Sequence, residues 1–260
     1  MKTVKQYIII NKWGEKKKKE YPKKCISFLD ESKKNSKEDV HNSTKGYNAC
    51  NITIGSHAKS ETKKNFSHNV AFSLQAKNFT KDYNSFSVTL GEYSTSKTKG
   101  EASNSATLNN TSISITSGSK ANSVTMGNES NSYTEGDEAF SAALGFNSRS
   151  NTKGDKSHSA TLSDHSQSYT EGEKSFSVTM GEFSKSSTKG KNTIACALGY
   201  ESKVKAHEGL IIIVEYDKNK NPLKAYSAQI GGEILGIKIE PNKWYGFDDE
   251  GIFRMFADNE

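Results

Sequence analysis

A column of lysines offers the most evident chemistry in this sequence. Lysine recurs in one column of an 18-residue period, at Lys45, Lys63, Lys81, Lys99, Lys153 and Lys189. Ammonium groups with aromatic rings nearby supply charge and stacking surfaces for a small anionic ligand such as a nucleotide. The candidate ligand-binding residues are Lys99, Lys153, Lys189, Tyr93, Tyr133 and Phe183. The competing interpretation is that these lysines are solvated turn residues that bind no ligand, and the sequence is compatible with both interpretations.

The other reactive residue types form no catalytic or metal-binding pattern. The histidines are His41, His57, His68, His158, His165 and His207. None has the H-x-x-x-H spacing of metal ligands, and no cysteine pair accompanies them. Carboxylates such as Asp137 and Glu173 lie among lysines in variable segments, whereas acid–base catalysis needs fixed, partly buried carboxylates. The fingerprints of nucleotide-binding loops and nucleophilic serines are absent. We therefore predict a non-enzymatic protein without a metal or cofactor.

An unbroken 18-residue repeat must position all of these side chains. Threonine marks its first position in nine consecutive copies, from Thr44 to Thr188. Small residues alternate with other residues in two stretches of each copy, as in the SFSVTMG and SKSST segments that begin at Ser175 and Ser184. A period of two is typical of β-strands. Nine copies without an insertion predict stacked coils, each with two short strands around an interior of Ser, Ala, Thr and Gly.

Glycine columns are expected at the turns of each coil. Gly172 and Gly181 represent them, and glycine permits either a sharp turn or the close approach of a neighbouring chain. Asn109 replaces glycine in one copy. Because asparagine tolerates left-handed backbone angles, we predict that Asn109 preserves the turn in that way.

One outer side of the coil stack is predicted to be apolar. The predicted interface residues are Val88, Leu90, Val124, Met126, Leu144, Val178, Met180 and Leu198. They fall in two columns opposite the small interior residues. His68 and His158 share a neighbouring column with Phe176. In a trimer each would be presented three times and could coordinate an anion or a metal ion, but we favour the interpretation that they fill space in this column. An apolar stripe along nine coils is of the kind that marks association, so we expect a homotrimer around a threefold axis.

The repeat resembles the YadA-like head domain of trimeric autotransporter adhesins. The family motif S-V-A-I-G-x-x-S/A-x-A is matched by SVTMG at 123–127 and 177–181, by SVTLG at 87–91 and by ACALG at 195–199. This resemblance covers residues 44–205. It implies a left-handed parallel β-roll, trimeric assembly and an adhesin-like presentation of loops. The ending of the chain, residues 239–253, resembles the tail that follows such repeats in uncharacterised phage and prophage proteins.

Composition and charge change at both ends of the repeats. Residues 1–43 hold twelve lysines against six acidic residues, which accounts for the net charge of +6. After the repeats, residues 210–216 (LIIIVEY) read as a buried strand, and residues 223–230, 234–239, 243–247 and 252–256 as further strands. The expected domains are an N-terminal basic cap and linker (1–43), the β-roll (44–205) and a C-terminal β cap (206–260). The expected fold class is all-β: a left-handed parallel β-roll solenoid of nine 18-residue coils, capped by a small antiparallel β domain.

The apolar segments are short. Residues 7–10 are too few for a secretion signal and lack a cleavage site, and no segment approaches the length of a membrane span. Three cysteines, Cys25, Cys50 and Cys196, imply no disulfide framework. We expect a cytoplasmic or phage-particle-associated protein without a membrane anchor. Nucleic acid is not the favoured partner, because the lysine run at 16–19 lacks interleaved aromatic residues.

Two other architectures share the 18-residue period. The triangular β-helix of hexapeptide acyltransferases needs an aliphatic residue at every sixth position, whereas Ser184 and Gly190 stand six and twelve residues after Val178. A ladder of aligned threonines also suggests ice binding, but flanking Lys and Glu residues make that edge charged. The coil of two strands is the favoured architecture.

The favoured function is that of a trimeric structural or binding protein, phage- or bacteria-encoded, that presents loops and intersubunit grooves to a ligand or surface. An intracellular host-modulating protein that sequesters a small anionic ligand is the first alternative. A hexapeptide-type acyltransferase is the second. The expected partners are further copies of the chain and a glycan or small anionic ligand.

Overall fold

Two long parallel sheets, placed back to back, make up the molecule. The structure is a computed structural model that describes residues 24–28, 41–44, 50–54, 57–63 and 65–258. These residues form 26 strands and no helix. The predicted all-β class is confirmed, as is the parallel solenoid of nine coils of 18 residues with a small antiparallel part at the C-terminal end.

Each sheet contains 12 strands. Sheet A contains, in spatial order, β1 (Lys24–Phe28), β3 (Cys50–Ile54), β5 (His68–Phe72), β7 (Phe86–Leu90), β9 (Asn104–Thr107), β11 (Asn122–Thr125), β13 (Phe140–Ala143), β15 (His158–Thr161), β17 (Phe176–Thr179), β19 (Thr193–Ala197), β21 (Gly209–Tyr216) and β22 (Pro222–Gln229). Sheet B contains β2 (His41–Thr44), β4 (Lys59–Lys63), β6 (Lys77–Lys81), β8 (Thr95–Lys99), β10 (Ile113–Ser117), β12 (Asn131–Thr134), β14 (Arg149–Thr152), β16 (Gln167–Thr170), β18 (Lys185–Thr188), β20 (Lys203–Ala206), β25 (Trp244–Phe247) and β26 (Phe253–Phe256). A separate hairpin pairs β23 (Glu233–Ile234) with β24 (Ile237–Lys238).

Each coil consists of one strand in each sheet, so identical positions of successive coils pair directly. Ser123 pairs with Ser141 in sheet A and Ser132 with Ser150 in sheet B, each 18 residues apart. The two halves of a coil are themselves equivalent. Residues 171–179 (EGEKSFSVT) and 180–188 (MGEFSKSST) carry Gly, Ser, Ser and Thr at the same places. The coil is therefore two-sided, which rules out the triangular coil of the acyltransferase alternative.

The space between the two sheets is filled mainly by serine and threonine side chains rather than by large apolar ones. Ser123 Oγ donates to the carbonyl of Ser114 at 2.8 Å, and Ser132 Oγ donates to the carbonyl of Ser123 at 2.7 Å. Similar bonds recur along the stack and tie most neighbouring half-coils together through the interior. Ser114 and Ser141 are exceptions, because their buried hydroxyl groups have no hydrogen-bond partner among the described residues. The aligned threonines from Thr62 to Thr188 also point inward and are buried. The ice-binding alternative fails for that reason, because it needs an exposed threonine ladder.

In the turns, close stacking on the neighbouring coil and left-handed backbone angles belong to different residues, although the sequence predicts glycine for both. A methyl group on Gly127 would lie 2.2 Å from the carbonyl oxygen of Asn109 in the preceding coil, so this glycine serves close stacking. The left-handed residue comes two positions later, as in Glu129 (φ 54°) and Thr111 (φ 54°). Asn109 does not take left-handed angles, so the prediction that it preserves the turn in that way is wrong.

The stack continues beyond both predicted domain boundaries. At the start, β1 and β2 pair in parallel with β3 and β4, so residues 41–43 belong to a strand rather than to a linker. The other predictions for residues 1–43 fall outside the described residues, apart from β1. At the end, β21 still adds to sheet A in parallel, and antiparallel pairing begins only with β22 and β25.

An apolar core closes the C-terminal end of the roll. In the last coil, alanine and valine take the interior places that serine and threonine hold elsewhere. These residues pack with side chains of the cap in one cluster, whose buried members are Ala195, Ala197, Val204, Ala206, Ile211, Ile213, Ile234, Ile239, Tyr245, Phe247 and Phe253. A polar interior would otherwise end at an open edge. The C-terminal strands cover this end by packing apolar side chains against the last coil.

Candidate functional site

The register of the strands sorts the outward side chains into two chemically different faces. The apolar face is the outer side of sheet A over β3–β19, and it holds three columns. They are Cys50, His68, Phe86, Asn104, Asn122, Phe140, His158, Phe176 and Ile194; Ile52, Val70, Val88, Ala106, Val124, Ala142, Ala160, Val178 and Cys196; and Ile54, Phe72, Leu90, Leu108, Met126, Leu144, Leu162, Met180 and Leu198. None of these 27 positions is Asp, Glu, Lys or Arg.

All eight predicted interface residues lie on the apolar face. Met126, Leu144 and Met180 are exposed, with 54%, 41% and 55% of their surface accessible. The valines and Leu90 and Leu198 are half-buried by their neighbours. The face measures about 40 Å along the stack and about 13 Å across, given the usual strand spacing and rise. Its projected area of about 500 Å² is at the upper end of the apolar patches that monomeric proteins expose.

Two histidines, His68 and His158, lie in the first column of this face, beside phenylalanines. The ring of His158 lies 5.0 Å from that of Phe176, and the ring of His68 lies 6.4 Å from that of Phe86. Burial lowers the pKa of His158, because the charged imidazolium loses hydration there. Burial therefore favours the neutral form of His158, which suits a residue that fills space on this face.

The basic face is the outer side of sheet B over β4–β20. Its columns are Lys59, Lys77, Thr95, Ile113, Asn131, Arg149, Gln167, Lys185 and Lys203; Glu61, Phe79, Lys97, Ile115, Tyr133, Asn151, Tyr169, Ser187 and Lys205; and Lys63, Lys81, Lys99, Ser117, Glu135, Lys153, Glu171, Lys189 and His207. Twelve of these 27 residues are Lys or Arg and three are Glu, a net charge of +9. The charge is concentrated in two patches, on β4, β6 and β8 and on β18 and β20.

The structure does not bring the six predicted ligand-binding residues together. Lys99, Lys153 and Lys189 lie in one column at the C-terminal ends of sheet B strands, and Tyr133 lies in the middle column. Tyr93 and Phe183 precede the same strands, in the turns at the other edge of the roll. Tyr93 and Lys99 thus flank opposite ends of β8, about 20 Å apart along the chain. The lysine column is one edge of a wider cationic surface, which the sequence pattern missed because each column is only partly basic.

The turns that lead from sheet A to sheet B carry acidic and aromatic residues. Described acidic residues there are Glu92, Glu129, Asp164, Glu182 and Glu201, and these turns contain no Lys or Arg among the described residues. An aromatic ladder runs along the same edge near the C-terminal end. The ring of His165 stacks on that of Phe183 with 5.1 Å between the ring centres, and the rings of Phe183 and Tyr200 form a T-shaped pair at 6.1 Å.

The antiparallel strands β25 and β26 form a hairpin, here called the C-terminal hairpin. A groove of about 380 Å³ lies where this edge of the roll, the basic face and the C-terminal hairpin meet. Its lining consists of His165, Phe183, Lys185, Glu201, Lys203, Phe247, Asp248, Asp249, Arg254 and Phe256. Cations pack on the aromatic rings of the hairpin. Lys203 Nζ lies 3.9 Å from the centre of the Phe256 ring, and Lys205 Nζ lies 4.4 Å from that of Trp244. Phe183 is the one predicted ligand-binding residue in this groove.

The remaining reactive groups do not assemble into a centre. Within the described ranges, no group of three or more His, Cys, Asp or Glu side chains is placed to hold a metal ion. Cys50 and Cys196 are free, and burial raises the pKa of the Cys196 thiol to about 11, which keeps it protonated. No helix capable of crossing a membrane occurs in the part of the chain that the structure describes.

Comparison with known proteins identifies no relative of this chain. No protein-family model matches the chain, and neither a curated protein nor a solved structure matches it.

Proposed function

We propose that this protein is a non-enzymatic structural or binding protein that assembles as a homotrimer through its apolar face. The observation that carries the proposal is the contrast between the two outer faces. One has no charged side chain in 27 positions, and the other has a net charge of +9 over the same number of positions. Exposed methionine, leucine and phenylalanine side chains on a rigid sheet favour burial against a partner.

A second copy of the chain is the partner that matches the apolar face best. The face repeats at the strand spacing of about 4.8 Å. Another copy with its coils at the same heights meets it with the same period along the whole stack. A rotation axis parallel to the stack achieves this and gives a closed assembly. Neighbouring copies then pair the Phe and His column of one chain with the Leu and Met column of the next.

The trimeric state and the biological setting are supported by the motif. Its resemblance to YadA-like heads favours three copies, an adhesin-like role and a phage or bacterial source. Sequestration of a small anionic ligand is the second candidate, and the basic face is the observation that favours it. A hexapeptide-type acyltransferase receives no support from a coil with two sides.

Assembly is tested by light scattering coupled to gel filtration of the full chain. Val124→Asp places a carboxylate at the centre of the apolar face, where pairing three chains would bury it without a partner. We expect the mass of three chains for the unmodified protein and of one chain for this variant. Val178→Asp, three coils farther along, is expected to act in the same way.

Ile115→Asp is the matched control. Ile115 occupies the middle column of sheet B, opposite Val124 in the same coil, and is likewise β-branched and half-buried. This variant is expected to keep the mass of three chains. A monomeric unmodified protein would contradict the proposal, and equal disruption by both variants would show that assembly does not use the apolar face.

A further inference from the structure

We infer that the basic face is the docking surface for an acidic polysaccharide that lies along the coil stack. The inference supplies a ligand class for the binding role proposed above and rests on that role. It does not depend on trimer formation, because the whole face lies within one chain. The charge difference between the two faces is the starting observation: a net charge of +9 on one and no charged residue on the other.

The sheet holds the cations of this face at regular spacings. Lys63, Lys81 and Lys99 pair across three successive strands, which lie about 4.8 Å apart. Within the described part of the chain, Lys63 forms an ion pair with Glu61, whereas Lys81 and Lys99 form none. A row of cations with few internal counter-ions attracts a linear ligand with repeated negative charges.

The segment between the two basic patches has the chemistry that sugar hydroxyl groups need. Asn131, Asn151 and Gln167 project outward from β12, β14 and β16. Their amides both donate and accept hydrogen bonds, as hydroxyl groups do. Tyr133 and Tyr169 stand half-buried beside them and offer apolar ring surface. The hydroxyl group of Tyr169 already donates to Glu171 Oε1 at 3.0 Å. A ligand that used only ionic contacts would gain little from this segment.

The groove at the C-terminal hairpin lies at one end of the basic face. Lys185 and Lys203 belong to both, since they line the groove and occupy the first column of the face. Glu201 and Asp249 add hydrogen-bond acceptors, and Phe256 adds an apolar wall. Its volume of about 380 Å³ lies in the range of small-ligand sites. It is therefore suited to hold the terminal sugar of a chain that runs along the face.

The composition of the face favours a polysaccharide over nucleic acid or a membrane. Eleven of its twelve cations are lysine and only Arg149 is arginine. Arginine is the preferred residue in nucleic-acid recognition, because its planar guanidinium group stacks on bases as well as pairing with phosphate. Phe79, the aromatic side chain within the N-terminal patch, is half-buried and does not project for insertion into lipid.

The test measures binding of the full chain to immobilised polysaccharides by interferometry. Polygalacturonate carries one carboxylate per sugar, dextran sulfate carries sulfates, and dextran is neutral. We expect binding to polygalacturonate or dextran sulfate that weakens as ionic strength rises, and none to dextran. Combined Lys77→Gln, Lys81→Gln and Lys99→Gln is expected to weaken binding by about tenfold or more.

Lys120→Gln, Lys156→Gln and Lys174→Gln together form the matched control, because they remove the same charge from exposed turns outside the face. This control is expected to change affinity less than about twofold. Circular dichroism establishes that both variants are folded. Equal weakening by the two sets, or equal binding to neutral dextran, would overturn the inference.

Two further measurements are needed. One distinguishes the polysaccharide from nucleic acid and lipid, and the other distinguishes failure of trimer assembly from failure of ligand binding. Tighter binding to single-stranded DNA or to anionic phospholipid vesicles, at the same ionic strength, would replace the polysaccharide with that partner. The Val124→Asp variant, read in the same assay, is expected to bind through single faces with lower avidity. Failure of assembly is seen in light scattering, and failure of the ligand assignment is seen in the interferometer, so the two are distinguishable.

Discussion

Buried serine and threonine have different roles in this interior. Ser123 Oγ donates to the carbonyl of Ser114 at 2.8 Å, whereas the Thr125 hydroxyl has no hydrogen-bond partner among the described residues. Both residues lie on the inward side of β11 and are fully buried. A buried hydroxyl stabilises the fold only where it makes a hydrogen bond. The hydrogen-bonded serines, which exclude Ser114 and Ser141, therefore hold the coils together, while the threonine columns mainly fill space.

Ser123→Ala and Thr125→Val test this difference. Loss of the Ser123 hydrogen bond is expected to lower the free energy of unfolding by about 1 kcal/mol. Thr125→Val keeps the shape of the side chain and removes an unpaired hydroxyl, so we expect a change within about 0.5 kcal/mol or a gain. Urea unfolding at one protein concentration measures both. A loss from Thr125→Val as large as that from Ser123→Ala would contradict the assignment.

His158 makes the stability of the protein depend on pH. Burial lowers its pKa below the ordinary value of 6.5, so the unfolded chain binds more protons than the folded one in the range between the two values. Stability is therefore complete above pH 6.5 and falls as the pH drops through this range.

We expect His158→Asn to reduce the acid sensitivity of the protein. Asparagine occupies the same column at Asn104 and Asn122 and does not titrate. Between about pH 7.5 and about pH 5.5, the variant should lose less of its melting temperature than the unmodified protein. Scanning calorimetry at the two pH values measures this. Identical losses would mean that His158 is equally protonated in the folded and unfolded chain.

At the scale of one turn, close stacking and left-handed backbone belong to different residues. Gly127 packs against the backbone of Asn109 in the preceding coil. Glu129, two residues later, has φ 54°, a conformation that costs a non-glycine residue about 1–2 kcal/mol. The same pair of roles recurs at nine-residue intervals, in both turns of each coil. Each half-coil therefore uses one residue for stacking and another for reversal.

The two substitutions Gly127→Ala and Glu129→Gly are expected to act in opposite directions. Gly127→Ala introduces a methyl group 2.2 Å from a backbone oxygen, so the turn must shift, at a cost of about 2 kcal/mol. Glu129→Gly relieves the left-handed residue and should be neutral or stabilising by up to about 1 kcal/mol. Thermal and urea unfolding measure both. A destabilising Glu129→Gly would indicate that its side chain contributes to the turn beyond the backbone.

Across the whole molecule, the two sheets turn one repeat into two unlike surfaces. Because the sheets are back to back, every coil contributes three side chains to the apolar face and three to the basic face. In the proposed trimer the apolar faces meet at the centre and the basic faces point outward. Three parallel basic faces on one particle would bind a polymer through several contacts at once. In this arrangement, assembly and ligand binding would use opposite sides of the same coils.

The sequence by itself determined the coil and its columns. An 18-residue period without insertions sets the alignment of coils, and alternation with a period of two sets which side chains point inward. That is why the two strands per coil, the Ser and Thr interior and the eight residues from Val88 to Leu198 on one face could be read directly. The apolar C-terminal strands from residue 210 onward were readable from their composition as well.

Only the tertiary structure decided which columns become neighbours. The chain reverses between the sheets, so Tyr93 and Phe183 lie at the opposite edge from Lys99 and Lys189, although they are near in sequence. The basic face gathers charge from three partly basic columns, and its groove forms only where β25 and β26 return to sheet B. Lateral pairing of coils assigned the glycine to stacking and the following residues to left-handed turns. Each of these depends on contacts between distant segments, which local periodicity does not contain.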